Sequence, residues 1–340
     1  MDRVRTIAIC LLLVSPTAHA ATIPEDTLYN LDVGGLSRTY ELHLPPNAAK
    51  LGALPVVVGF HGGGSNATQF AVQSQLEQAA DRFGFALVLP NGTAPTGSAA
   101  YTWNTGLCCG YAARNNTDDV SFISDVLDDL PRHLSEDPSR VYATGMSNGG
   151  MMAFDVALAL PKRFAAIGAV AATMDYETPQ VLPSLAMPVI EINGAHDNNA
   201  PVKGGVGSNA IEKIPHRPVS NTISIWSHVD GYTAAAPQVN KTATYTHSEY
   251  PGRSVPFDYY LLNEGGHTWP GGVDITAGLG TGKLIASFDA DSIQWQFFSQ
   301  FARPQLAVSG GSLIPEPGII AAVFEMGILL TAGSRRRARF

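Results

Sequence analysis

Apolar positions along this chain fall into short runs bounded by Gly, Pro and Asn, and these runs are separated by longer stretches with helical spacing. The runs at 39–44, 56–60, 86–89, 141–144, 189–192 and 257–262 are rich in β-branched and aromatic residues, the composition of strands. Several are apolar throughout rather than alternating, as in strands covered on both faces. Between them, 73–83, 120–134, 151–160 and 290–301 place apolar residues at helical intervals. The alternation predicts an α/β fold, a mostly parallel central sheet with helices on both faces. No internal repeat or charge block divides residues 21–312, so they are expected to form a single catalytic domain.

The two ends follow a different pattern. Residues 1–20 carry Arg3 and Arg5, an apolar core at 7–14, and the small-residue site Ala18-His19-Ala20. They are expected to be a cleaved secretory signal, with a core too short to span a bilayer. At the other end Pro315-Glu316-Pro317 precedes an apolar segment, 318–333, that is interrupted by Glu325 and followed by Arg335, Arg336, Arg337 and Arg339. Residues 313–340 are therefore expected to be a processing tail that meets the membrane transiently, its basic end held on the cytoplasmic side. A membrane-surface helix is the other reading.

The chemistry concentrates where these runs end. Val141-Tyr142-Ala143-Thr144 leads into Gly145-Met146-Ser147-Asn148-Gly149, and a helical stretch follows. Strand, Gly-x-Ser-x-Gly, then helix is the context of a nucleophile elbow, although Gly and Ser also populate ordinary turns. A serine hydroxyl needs a histidine base oriented by a carboxylate. In α/β-hydrolases these follow in the order Ser, acid, His. Asp197 stands just past the run at 189–192, and His267 follows the run at 257–262 in Asn263-Glu264-Gly265-Gly266-His267-Thr268-Trp269-Pro270. His196 competes as base, and Asp230 and Glu264 are reserve acids. Upstream, the run at 56–60 enters His61-Gly62-Gly63-Gly64. Side-chain-free backbone there suits one half of an oxyanion hole, expected at Gly63, with the N–H of Asn148 as the other half. A flexible turn is the bland alternative. His61, Trp103 and Trp269 are candidate substrate-binding residues, although aromatics more often belong to the core.

Composition removes several functions. Taking away residues 1–20 removes one net positive charge and taking away 315–340 removes two, so the −8 of the whole chain becomes −11 for the remainder. Such a field opposes nucleic acid and suits neutral esters. Neither Gly282-Lys283-Leu284 nor the Gly cluster at 62–64 meets the phosphate-loop pattern, and no metal-ligand spacing is present, so neither a cofactor nor a metal is expected. Asp118 and Asp119 are expected to start the helix from Val120. Cys108 and Cys109 are adjacent, and two readings stand: a vicinal disulfide after export or two buried thiols.

Together, Val56-Val57-Val58-Gly59-Phe60-His61-Gly62-Gly63-Gly64, Asp118-Asp119-Val120-Ser121-Phe122-Ile123, Thr144-Gly145-Met146-Ser147-Asn148-Gly149-Gly150-Met151-Met152 and Gly265-Gly266-His267-Thr268-Trp269-Pro270 resemble the secreted polyhydroxybutyrate depolymerase and feruloyl esterase group. The resemblance runs from about Arg38 to Phe301. It implies the α/β-hydrolase fold, a triad of Ser147, Asp197 and His267, and an ester substrate, either a 3-hydroxyalkanoate polyester or its oligomers, or a feruloylated or acetylated polysaccharide. An inactive exopolysaccharide-associated binding protein is the reading from another class. Two positions depart from the group: Asn193 stands where many relatives carry His, and Tyr232 where a Cys is expected. The tail at 313–340 resembles the PEP-CTERM sorting signal, which implies an exosortase-type processing enzyme as partner.

Overall fold

The strand-like runs all become strands of one sheet. The computed structural model describes residues 26–175, 186–230, 237–251, 255–276, 278 and 280–303. The signal at 1–20, the tail at 313–340 and Tyr232 lie outside the described residues. In chain order the elements are β1 (Asp26–Val33), β2 (Leu36–His43), α1 (Ala48–Leu51), β3 (Leu54–Phe60), α2 (Ala67–Ser74), α3 (Leu76–Phe83), β4 (Ala86–Pro90), α4 (Gly110–Arg114), α5 (Asp119–Asp129), β5 (Glu136–Met146), α6 (Asn148–Ala159), β6 (Ala166–Val170), β7 (Val189–Gly194), α7 (Val219–Asp230), β8 (Gln238–Lys241), β9 (Tyr245–Pro251), β10 (Pro256–Leu262) and α8 (Ala290–Phe298).

Among the described residues the sheet has ten strands in the order β1-β2-β4-β3-β5-β6-β7-β10-β9-β8. The central run from β4 to β10 is parallel, and antiparallel pairs close each side. The apolar strands β3 and β4 have every residue covered, as do β6 and β7, the last of which also buries Glu191 and Asn193. Side chains of β3 alternate between two cores, Val56, Val58 and Phe60 joining one and Val57 the other. The first core is completed by α5, α6 and α7, the second by α2, α3 and α8. This is the α/β-hydrolase fold. From β3 the chain first builds outward to β4 and then returns to place β5 on the other side of β3. That reversal is a topological switch point, where ligands of open α/β sheets gather beyond the carboxyl ends of the strands.

Three predicted helices change at their ends, each for a local reason. The run at 73–83 is broken at Gln75, which adopts φ 64°, while the Ser74 hydroxyl donates back to Phe70 O and accepts from Leu76 N. The run at 120–134 begins at Asp119 and leaves α-helical geometry after Asp129, where Pro131 lies in a 3-10 turn. The last helix stops at Phe298. Patterning missed the strands β1, β6, β8 and β9 and the helices α1, α4, α7 and most of α2. β1 and β8 are partly exposed edge strands, β9 pairs with exposed β8, and β6 is Ala- and Gly-rich.

Asp118 caps α5 as expected, accepting from Ser121 N at 3.0 Å. Asp119 does something else. It is buried and paired with buried Arg38 of β2, Arg38 Nη2 to Asp119 Oδ1 at 2.7 Å, while its other oxygen accepts Asn104 N–H at 2.8 Å. Arg38 also donates to Asn91 O and lies 4.0 Å over the Phe122 ring. Removing one partner strands a buried charge, a loss of about 3–5 kcal/mol. Arg38→Met is therefore expected to lower the urea-unfolding free energy by about that amount. Adding Asp119→Asn, which removes the stranded charge but keeps an acceptor, is expected to recover part of it. No recovery would show that the pair stabilises through packing instead.

Candidate active site

Ser147 joins β5 to α6 in a conformation non-glycine residues rarely adopt, φ 56° and ψ −123°. Its neighbours make this feasible. A Cβ on Gly149 would fall on the carbonyl oxygens of Phe60 and His61, and one on Gly145 on those of Gly149 and Phe60. Bare backbone at both positions lets the start of α6 press against the end of β3. The Ser147 N–H donates to Val170 O at 2.9 Å, fixing the apex to β6. A single strained residue held by its surroundings in this way exposes its hydroxyl to the crevice.

The other two members arrive from neighbouring parallel strands. Asp197 follows β7 and His267 follows β10. Their loops touch through backbone, since a Cβ on Gly194 would meet the carbonyls of Gly265 and Gly266. His267 Nε2 lies 2.9 Å from Ser147 Oγ, and His267 Nδ1 lies 2.7 Å from Asp197 Oδ2. The ionised carboxylate accepts, so Nδ1 carries the imidazole proton and Nε2 faces the serine hydroxyl as acceptor. Asp197 Oδ1 receives the N–H groups of Asn199 and Ala200, each at 2.8 Å. His267 is held by its own N–H on Thr281 O and by Gly266 N–H on Lys283 O. The arrangement can deprotonate a serine hydroxyl and return the proton to a leaving group.

The reserve residues are placed elsewhere. His196 is exposed, with its N–H on Gly265 O; Glu264 is exposed; Asp230 is buried and accepts Met187 N–H. Asn193 is buried and donates to Glu191 Oε1 at 2.7 Å. Burial pushes the Glu191 carboxyl well up, toward its neutral form.

Gly62 and Gly63 run past Ser147. A Cβ on Gly62 would stand 3.8 Å from Ser147 Cβ, and one on Gly63 3.5 Å from Asn148 Cβ. Asn148 opens α6, and N–H groups of a first helical turn have no acceptor within the helix. Both backbones therefore border the place where an oxyanion would form.

The structure places His61, Trp103 and Trp269 inside the protein rather than on a pocket wall. Their exposures are 0%, 0% and 1%. His61 Nδ1 donates to Gly62 O at 2.8 Å and its Nε2 accepts Gly92 N–H at 3.0 Å. Burial lowers its pKa to about 4, so the ring is neutral. Trp103 Nε1 donates to His61 O, and Trp269 Nε1 to Asp291 Oδ1. These indoles are buried with their N–H groups bonded, which explains why an apolar-pocket role fails for them. Cys108 and Cys109 are joined as a disulfide, Cys108 Sγ being 4.0 Å from Asn148 Nδ2. Asp26, His43 and Glu77 lie close enough to share a cation, but both ring nitrogens of His43 already hold carboxylates, those of Asp26 and Asp81. Among the described residues no helix is long and apolar enough to cross a membrane.

A family model described as esterase PHB depolymerase matches residues 38–236. The chain belongs to that family. It is 32% identical over 275 residues to NocK of Nocardia uniformis subsp. tsuyamanensis, a protein described as an esterase, with 76% of each chain covered. It is 26% identical over 257 residues to feruloyl esterase B of Piromyces equi, a match that spans 74% of this chain and 43% of that protein. An acetyl xylan esterase from Aspergillus awamori superposes with a TM-score of 0.55 at 16% identity, covering 71% of this chain and 94% of that one; that likeness establishes the fold. This esterase is a carboxylic ester hydrolase.

Sequence reasoning missed what supports the His267 loop of the esterase. Asp291, on the first turn of α8, accepts the Trp269 indole N–H at 2.8 Å. Burial raises the Asp291 carboxyl to about 7, with the Asp289 charge adding to the rise and Trp269 and Arg82 opposing it. Because the folded value lies above the unfolded one, Asp291 contributes stability that is fully present below about pH 4 and lost as pH rises through about 7. Buried neutral His61 acts in the opposite sense between about 4 and its ordinary value, so the comparison must be made between variants. Asp291→Asn is expected to match wild type in Tm near pH 4. It should become progressively more stable than wild type up to about pH 7 and hold a constant lead above that. A lead that does not change with pH would contradict this environment for Asp291.

Proposed function

We propose that the esterase works through Ser147, His267 and Asp197 by way of an acyl-enzyme, and that it acts on short-chain 3-hydroxyalkanoate polyester or its oligomers. One observation carries the triad: the continuous relay from Ser147 Oγ to His267 Nε2 at 2.9 Å and from His267 Nδ1 to Asp197 Oδ2 at 2.7 Å, starting from a serine at a strained elbow. Ser147 attacks the ester carbonyl while His267 takes its proton and then delivers it to the leaving alcohol. Asp197 keeps the tautomer and stabilises the imidazolium. The N–H groups of Gly63 and Asn148 receive the oxyanion. Water then attacks the acyl-enzyme, with His267 again as base.

For the aliphatic substrate the support is the family match. The match to a feruloyl esterase favours a second reading, an aryl or acetyl ester of polysaccharide. Export through residues 1–20 and exosortase-type processing of 313–340 remain part of the proposal on the strength of the sequence patterns.

Initial rates on a 3-hydroxybutyrate trimer and on methyl ferulate test both parts. The trimer is expected to be cleaved faster, and Ser147→Ala is expected to lose about 10³-fold or more on either substrate. Faster cleavage of methyl ferulate would transfer the assignment to the second reading. Activity retained in Ser147→Ala would overturn the triad.

A further inference from the structure

The segment between β4 and α4 makes an unusual set of bonds with the nucleophile region. Trp103 N–H donates to Asn148 Oδ1 at 2.8 Å, and Asn148 Nδ2 donates back to Trp103 O at 3.0 Å. The Asn148 side chain thus pairs with the Trp103 backbone as one strand pairs with another. The Trp103 indole meanwhile donates to His61 O at 2.9 Å and packs against the His61 ring with centroids 4.9 Å apart. His61 in turn is locked to Gly62 O and Gly92 N–H. One residue therefore touches both His61, which leads into the Gly62–Gly63 arm, and Asn148 at the start of α6. Trp103 is itself tethered next door, where Asn104 N–H donates to buried Asp119, the partner of Arg38.

We propose that Trp103 is the positioning residue that sets the spacing of the two oxyanion donors, its indole N–H holding the Gly63 arm through His61 and its backbone holding Asn148. The inference rests on the reading of Gly63 and Asn148 as the oxyanion hole. Both donors belong to separate loops, and a donor is effective only when it is already aimed at the place where charge develops. A tenth-nanometre drift in either arm leaves ground-state binding intact but weakens the tetrahedral intermediate. Trp103 makes no contact with substrate in this arrangement, because it is enclosed. The Asp118-Asp119 motif gains a role as well: its second carboxylate anchors the segment that carries the brace.

The test uses the full chain with p-nitrophenyl butyrate and an aryl trifluoromethyl ketone, which forms a tetrahedral adduct on a serine. Trp103→Phe removes the indole N–H and keeps an aromatic ring. Asn148→Ala keeps the Asn148 N–H and cuts both bonds to the Trp103 backbone. Each variant is expected to lower kcat about 10- to 100-fold, short of the full loss of a donor, with KM changed by less than about 3-fold. Affinity for the ketone should fall in step with kcat/KM. The double variant should lose less than the product of the two single losses, because both loosen one unit. Unchanged kcat in folded Trp103→Phe, a loss confined to KM, or losses that multiply would each overturn the proposal. If Trp103→Phe does not fold, Asn148→Ala with its ketone affinity decides alone. Ser147→Ala assayed alongside separates the cases: if it is inactive while the brace variants are normal, the brace fails and the triad stands; if it stays active, the underlying reading fails.

Discussion

Gly149 lies with its bare Cα against the carbonyls of Phe60 and His61, and the geometry of the site follows from that contact. Any side chain there would push α6 away from β3 by the thickness of a methyl group, more than a close-packed interior absorbs. With the contact made, the elbow after β5 and the Gly62–Gly63 arm after β3 become neighbours, because Phe60 and Gly145 are already paired in register. Ser147, Asn148 and the Gly62–Gly63 arm therefore follow adjacent strands at the point where the sheet reverses its order of growth.

A second contact of the same kind serves the acid and the base. Gly194 at the end of β7 meets the backbone of Gly265 and Gly266 after β10, and these strands are parallel partners in register, Leu262 opposite Gly194. The Asp197 and His267 loops start side by side, so one hydrogen bond can span the gap between them. Close backbone approaches set the positions, and side-chain hydrogen bonds then set the directions. Sites built this way keep their geometry because supporting groups are themselves fixed.

The sequence was most legible where these constraints impose residue types. Strands β3 and β4 were visible because they are covered on both faces by apolar side chains, and β2, β5, β7 and β10 because each carries a short run rich in β-branched and aromatic residues. Ser147, Asp197 and His267 could be singled out because Gly145 and Gly149 flank the serine at fixed offsets and the other two residues follow strands. Elements that satisfy weaker demands were hidden. The edge strands β1 and β8, and β9 beside β8, are partly exposed and need no continuous apolar run, and α7 offered no apolar period strong enough to be noticed. The roles of His61, Trp103 and Trp269 were misjudged for a related reason. An aromatic or imidazole near a glycine motif looks the same in sequence whether it lines a pocket or lies beneath one. What distinguishes them is the partner of the ring N–H, and those partners (His61 O, Gly62 O and Asp291) are distant in sequence or are backbone atoms.

Carboxylates in the esterase show how surroundings rather than residue type assign a role. Glu191 and Asp197 lie on one strand and the loop that follows it, and both are buried. Asp197 receives two backbone N–H groups and the His267 ring, three donors shared over two oxygens. Glu191 receives a single amide N–H from Asn193, and its second oxygen has no partner among the described residues. A carboxylate so poorly supplied with donors is driven to the neutral form by desolvation, which is the direction Glu191 takes. The two carboxyls differ in where the loop after Gly194 turns its N–H groups, two of which reach Asp197 and none Glu191.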